Sequence, residues 1–226
     1  MKSGYRIFWG LIMVLFAWAC TSKEKTNSAS GAGKTQNTAP AETKRTIIFF
    51  GNSLTAGFGL SSPSQAFPAV IQHKIDSLKL PYTIVNAGVS GETSSGGASR
   101  IDWILRQPID VFILELGAND GLRGIPIAET KKNLQAIVDK VHAKYPNAKL
   151  VLAGMQLPPN MGQTYATQFR AIYPELATKN NMALIPFLLQ GVGGVAALNQ
   201  EDGIHPTAEG AQIVAQNVWQ VLQPLL

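Results

Sequence analysis

The chain has 226 residues, 46% of them hydrophobic and 15% charged, with one cysteine, 21 glycines and a formal net charge of +5. This composition excludes wholesale disorder and fibrous repeats, and a single cysteine excludes a disulfide framework. Residues 1–45 hold seven bases and two acids, whereas residues 46–226 hold twelve of each. The neutral body offers no electrostatic case for nucleic acid as a partner.

Lys2 and Arg6 precede an apolar run from Ile7 to Ala19. As a helix, this run spans roughly 20 Å, short of a hydrocarbon core of ~30 Å, so residues 1–19 read as a signal peptide rather than a transmembrane anchor. Cys20 follows Ala17-Trp18-Ala19 and resembles the lipobox cysteine of bacterial lipoproteins. That pattern prefers Leu three residues before the cysteine and a small residue two before it, so simple secretory cleavage with Cys20 as a free thiol stands beside acylation. Thr21–Lys44 contains no Leu, Ile, Val, Met, Phe, Tyr or Trp. It reads as a flexible tether with an r.m.s. span of about 27 Å. The expected organisation is therefore a signal peptide (1–19), a cysteine and linker (20–45), and one domain (46–226).

Within that domain, short β-rich runs alternate with segments of helical period. The runs predict strands over Thr46–Phe50, Tyr82–Ala87, Asp110–Leu116, Lys149–Gly154 and Ala183–Ile185. Helical stripes fall at Phe67, Val70, Ile71, Ile75 and Leu78; at Ile101, Ile104 and Leu105; at Leu134, Ile137, Val138 and Val141; and at Phe169, Ile172, Tyr173 and Leu176. A last helix is predicted from about Thr207 to Leu222. Strand–helix alternation at this spacing implies a three-layer, doubly wound α/β domain whose five-stranded, mostly parallel sheet is covered on both faces. Chemistry in such sheets collects on loops at the carboxyl ends of the strands.

Four loops pair turn-forming glycines with reactive or hydrogen-bonding side chains. Gly51-Asn52-Ser53-Leu54 follows the first strand, where a serine at a helix start can present its hydroxyl at the sheet edge. The second loop, Asn86-Ala87-Gly88-Val89-Ser90-Gly91-Glu92, places Gly88 where backbone can approach a ligand. Gly117-Ala118-Asn119-Asp120 follows the third strand and supplies an amide donor. Each of these three also reads as an ordinary turn. In the fourth, Asp202-Gly203-Ile204-His205-Pro206, a carboxylate three residues before a histidine can bind Nδ1–H and leave Nε2 outward as a base.

His73 lies off its helix's apolar stripe and His142 flanks another, so histidine chemistry falls to His205. Three histidines, with no cysteine in the domain, give no zinc site, and neither HExxH nor CxxC occurs. GxSxG, GxGxxG spacing and a P-loop are also absent, so neither a metal nor a nucleotide cofactor is expected.

Taken in order, the four blocks resemble the SGNH, or GDSL, hydrolases, with Ser53, Gly88, Asn119 and His205 as the namesake residues. Glu115–Pro126, Gln156–Gly162 and Ala171–Pro174 are similar to the bacterial thioesterase, arylesterase and lysophospholipase branch of that family. One departure is Asn52, where the family usually has Asp before the serine. The resemblance implies a flavodoxin-like fold and an acyl-enzyme mechanism. Ser53 would attack the acyl carbonyl, His205 shuttle the proton, and Asp202 orient the imidazole. The N–H groups of Ser53 and Gly88 and the amide of Asn119 would hold the oxyanion.

The resemblance also implies aryl esters, acyl thioesters and lysophospholipids as substrates. Export removes the chain from cytoplasmic acyl-CoA and favours an ester of the cell envelope, approached from a membrane anchor at Cys20. Deacetylation of an envelope carbohydrate, or a catalytically dead binding lipoprotein, are the alternatives. Leu122, Ile125, Leu157 and Pro158, on loops beside the oxyanion positions, either line an acyl groove or pack those loops together.

Overall fold

The computed structural model describes residues 44–226, so the expected signal peptide, Cys20 and the linker up to residue 43 lie outside the described residues. Each apolar run forms a strand: β1 (Arg45–Gly51), β2 (Tyr82–Gly88), β3 (Val111–Glu115), β4 (Lys149–Ala153) and β5 (Ala183–Ile185). All pair in parallel in the order β2-β1-β3-β4-β5. The helices are α1 (Ser53–Ala56), α2 (Phe67–Ser77), α3 (Ser94–Ile104), α4 (Ala118–Leu122), α5 (Ile127–Lys144), α6 (Gln163–Lys179) and α7 (Ala208–Leu222). This is the doubly wound α/β architecture that the alternation implies.

The central strands are apolar on both faces because helices cover both. Every residue of β3 is buried, as is β1 from Ile47 onward. Successive side chains of β1 serve opposite layers. Phe49 meets Phe67 of α2 edge-on at 5.5 Å between ring centroids. Phe50 packs where α3 carries Gly97, at which an added Cβ would lie 3.1 Å from the Phe50 ring and 2.4 Å from Leu116 Cδ1. On the Phe49 side α2 packs against α7, and on the Phe50 side α3 packs against α5.

The helix ends follow their capping residues. Thr207 caps α7 by accepting from the N–H of Gly210 at 3.2 Å, so the predicted start at Thr207 is its cap. The stripe assigned to α2 is one residue too long. The helix stops at Ser77, and the left-handed turn at Lys79 (φ 54°) leaves Leu78 51% exposed rather than in the core.

Strand order positions the site. From β1 the chain moves outward to β2, then crosses back to lay β3 on the other side of β1. Loops leaving β1 and its two neighbours therefore surround one crevice at the carboxyl ends.

Candidate active site

At the end of β1 the chain turns sharply into α1. Asn52 caps this helix, its Oδ1 accepting from the N–H of Leu54 at 2.9 Å, and Ser53 is the first helical residue. Gly57 ends the helix in a left-handed conformation (φ 78°), and its N–H donates to the Ser53 carbonyl. Four residues between two caps hold Ser53 at the sheet edge, where it is 9% exposed.

His205 arrives from the loop before α7. Its Nε2 lies 2.8 Å from Ser53 Oγ, and its Nδ1 lies 2.6 Å from Asp202 Oδ2. Asp202 Oδ1 accepts from the backbone N–H of Ile204 at 2.9 Å and of His205 at 3.0 Å. Partial burial pushes the Asp202 carboxyl up, but the bonds from the His205 backbone and ring, the Ile204 N–H and the histidine charge outweigh it, leaving the group at about 2. The carboxylate is thus ionised when Nε2 faces the serine, an arrangement that suits a hydroxyl nucleophile with its base. His73 and His142 are exposed on helix surfaces, as their positions in the pattern imply.

The His205 loop is clamped to the nucleophile side by one residue. Gln200 Nε2 donates to the carbonyls of Phe58 (2.8 Å) and Pro206 (2.9 Å), and Gln200 N–H donates to the His205 carbonyl (2.7 Å). Phe58 in turn lays its ring beside the imidazole. Neither Gln200 nor Phe58 carries a sequence signal, since both act through backbone contacts and packing across 142 and 147 positions of chain.

Two of the three expected oxyanion donors fit the geometry. The N–H of Ser53 has no acceptor among the described residues. Asn119, on the first turn of α4, donates one amide hydrogen to the Glu92 carbonyl at 2.9 Å and keeps the other. Asp120 fixes that turn by accepting from Ser94 N–H (2.7 Å) and Ser94 Oγ (2.5 Å).

Gly88 does not fit. Its N–H donates to Asn86 Oδ1 at 3.0 Å, and its Cα packs on the nucleophile turn, where a Cβ would fall 2.3 Å from Ala56 N and 2.8 Å from Asn52 O. Gly88 is there so that β2 and α1 can touch. Gly91, three residues on, has a left-handed backbone (φ 80°), an N–H with no acceptor among the described residues, and a carbonyl held by Arg123 Nη2 at 3.1 Å. The neighbouring residue, Glu92, carries the carbonyl that Asn119 grips. The signal available in the sequence was the second glycine of Gly88-Val89-Ser90-Gly91.

Arg100 braces this loop. It pairs with Glu92 at 2.5 Å, donates to the Ala87 carbonyl at 2.8 Å and lies 4.0 Å above the Phe50 ring.

An apolar pocket opens beside Ser53 and His205, lined by Leu54, Phe58, Leu60, Phe67, Leu189 and Val214 among others. Leu122, Leu157 and Pro158 are not among its walls. Leu157 is partly buried and packs on α4, where a Cβ at Gly121 would lie 2.4 Å from its Cδ2, so it holds loops together. Ile125 is half-buried; Leu122 and Pro158 are exposed. Among the described residues, no helix is long and apolar enough to cross a membrane, and no cluster of three or more His, Cys, Asp or Glu is placed to hold a metal.

Comparisons with known proteins place the chain in one family. Residues 49–213 match the model of the GDSL-like lipase/acylhydrolase family. The chain is 40% identical over 183 residues to the esterase TesA of Pseudomonas aeruginosa, covering 80% of this chain and 90% of that protein. It is 38% identical over 182 residues to the thioesterase 1/protease 1/lysophospholipase L1 of Escherichia coli K12, covering 80% and 85% respectively. Among solved structures it is similar to the psychrotrophic esterase EstA from Pseudoalteromonas sp., in a form inhibited by monoethylphosphonate. That match has a TM-score of 0.75 and 32% identity, over 80% of this chain and 98% of that one. On these matches, over a sheet of the same α/β architecture, the chain belongs to the GDSL-like lipase/acylhydrolase family and is an ester hydrolase of that family.

Proposed function

We propose that the protein is an exported serine esterase that works through an acyl-enzyme on Ser53. The observation that carries this reading is the chain of contacts from Asp202 through His205 to Ser53 Oγ at 2.6 and 2.8 Å. Ser53 attacks the acyl carbonyl as His205 Nε2 takes its proton; His205 then returns that proton to the leaving alcohol or thiol. Asp202 stabilises the imidazolium. Water, deprotonated by the same His205, then releases the acid. The oxyanion is received by the N–H groups of Ser53 and Gly91 and by the Asn119 amide, with Gly91 in the role first expected of Gly88.

Likeness to an esterase, to a thioesterase/lysophospholipase and to an esterase inhibited by a phosphonate supports acyl esters as substrates, with thioesters and lysophospholipids in the same class. The signal-peptide pattern of residues 1–19 and the position of Cys20 support an envelope location with a lipid anchor, which favours lysophospholipids over acyl-CoA. Mass spectrometry of the mature N-terminus checks the anchor: a diacylglyceryl adduct on Cys20 supports it, and a free thiol removes it.

Ser53→Ala and His205→Ala are each expected to abolish p-nitrophenyl ester hydrolysis while the protein stays folded. Activity retained in both variants refutes the assignment. A chain-length series of p-nitrophenyl esters alongside lysophosphatidylcholine reads the substrate class, and hydrolysis of acetyl esters alone redirects it to carbohydrate deacetylation.

A further inference from the structure

Beneath the nucleophile turn, at the end of β3, stands a carboxylate that the reaction does not touch. Glu115 is 1% exposed, as is Asn52 above it. Glu115 Oε2 accepts from three groups of the turn: Asn52 N–H at 3.1 Å, Thr55 N–H at 3.3 Å and Thr55 Oγ1 at 2.7 Å. Glu115 Oε1 accepts from Asn52 Nδ2 alone, at 2.8 Å. The other end of that amide, Oδ1, caps α1 and lies 3.4 Å from Ser53 Oγ. One amide therefore spans from the buried carboxylate to the nucleophile. The turn is closed around this pair so tightly that a Cβ at Gly51 would lie 2.4 Å from Glu115 Oε2 and 2.2 Å from Thr55 Oγ1.

We propose that Asn52 and Glu115 are positioning residues for Ser53, and that the amide at position 52 lets them hold the nucleophile turn without a shared proton. For its activity readout the proposal rests on the esterase reading; its thermal readout does not.

The donor and acceptor chemistry dictates the pairing. Asn52 Nδ2 can only donate, and an ionised Glu115 Oε1 can only accept, so the 2.8 Å contact needs no proton beyond those of the amide. An aspartate at 52 sets oxygen against oxygen, and the contact then survives only with a proton between the two carboxyls. No counter-charge relieves such a pair. Glu115 forms no ion pair among the described residues. Arg100, whose Nη2 lies 3.4 Å from the Gly51 carbonyl, is engaged by Glu92. Asp120 is a like charge bound to Ser94. Tyr173 gives its hydroxyl to the Leu116 carbonyl at 3.1 Å, and burial pushes its ionisation well above the ordinary range. His205 faces the turn from the far side of Ser53. Burial raises the Glu115 carboxyl and outweighs the four bonds that pull it down, leaving it at about 7. A second carboxyl beside it would make the turn depend on a shared proton that is lost as pH rises.

The pair can also be reversed. In Asn52→Asp/Glu115→Gln, the glutamine oxygen takes the place of Oε2 and keeps its three donors, while its amide nitrogen takes the place of Oε1 and donates to the new aspartate. In Glu115→Gln alone, two amide nitrogens face each other.

The test uses the purified protein and its Asn52→Asp, Glu115→Gln and double variants. Two quantities are followed between about pH 6 and about pH 9, each normalised to its value at the acidic end: kcat for a p-nitrophenyl ester, and Tm from tryptophan fluorescence. Asn52→Asp is expected to lose roughly tenfold more kcat than the parent over this range, the equivalent of about one pKa unit of lost protonation, with a steeper fall in Tm. The double variant is expected to return to the parental slope. A parental slope in Asn52→Asp, or a double variant as steep as Asn52→Asp, overturns the proposal. If no variant and no parent hydrolyses esters, the functional reading fails and the Tm slopes still decide this one. If Asn52→Asp does not fold, the comparison of the double variant with Glu115→Gln decides: a higher Tm in the double supports the reversed pair, and an equal or lower one refutes it.

Discussion

The ring of Phe58 lies 4.8 Å from the imidazole of His205, inclined to it at 46°, with about half of its surface in solvent. Its place follows from the left-handed cap at Gly57, which turns the chain back so that Phe58 N–H donates to the Ser53 carbonyl at 3.0 Å. In the proposed mechanism His205 takes the serine proton, and its charge then develops beside an aromatic ring. At an exposed site such contact contributes about 0.5–1 kcal/mol. Phe58→Leu keeps the apolar cover but not the ring, and its kcat for a p-nitrophenyl ester is expected to fall about two- to fivefold. Phe58→Tyr restores it. Equal loss in both variants would show that shape, not the ring, matters.

Asp202→Asn tests the carboxylate that orients His205. A neutral amide no longer favours the imidazolium and permits the wrong tautomer, so kcat is expected to drop by about 10³–10⁴ with the fold intact. The same variant reads a stability effect. Asp202 is held below its ordinary value, at about 2, so its contribution to stability is complete above 3.8 and is lost as pH falls through 2. The Tm difference between parent and variant should therefore be constant above about pH 5 and shrink towards pH 2.

Gln200→Ala removes the clamp between the His205 loop and Phe58. Two side-chain bonds at about 1 kcal/mol each are lost. Tm should fall, and kcat should fall roughly tenfold as Nε2 wanders from Ser53 Oγ, since positioning errors of an ångström carry costs of that order or more. KM for a short acyl ester should change little. A purely thermal effect with normal kcat would assign Gln200 to stability alone.

The two glycines of the second loop are separable by substitution. Gly88→Ala drives a Cβ into the backbone of α1, 2.3 Å from Ala56 N, and is expected to yield little folded protein. Gly91→Ala meets nothing nearer than Arg123 Nη2 at 4.0 Å. It keeps the N–H and bears only the strain of a left-handed alanine, about 1–2 kcal/mol, so it should fold, and a fall in kcat would come from that strain turning the N–H away from the site. Circular dichroism and kcat measured on both variants separate a loss of folding at Gly88 from a loss of activity at Gly91, the proposed donor.

Much of this was legible in the chain because the signals are local. Strands β1 and β3 announce themselves as unbroken apolar runs, since both of their faces are covered, and Asp202 and His205 are close enough in sequence to be seen as a pair. What escaped depends on contacts between distant segments. Nothing near Glu115 in sequence tells that its carboxylate receives Asn52, 63 residues earlier. The difference at Gly88, whose N–H is taken by Asn86 Oδ1, has the same origin. A glycine at a strand end reads equally as room for a ligand or room for a neighbouring backbone, and only the position of α1 against β2 decides between them. At Leu78 the difference is local: the apolar spacing continues past a left-handed turn at Lys79 that ends the helix.

Ser53 and His205, the proposed nucleophile and base, are separated by 152 positions, one after β1 and the other just before α7. A chain released after β5 would possess the serine but no histidine to activate it. Ser53 therefore gains the imidazole beside it only once the chain beyond β5 has been made and has folded against the α1 turn.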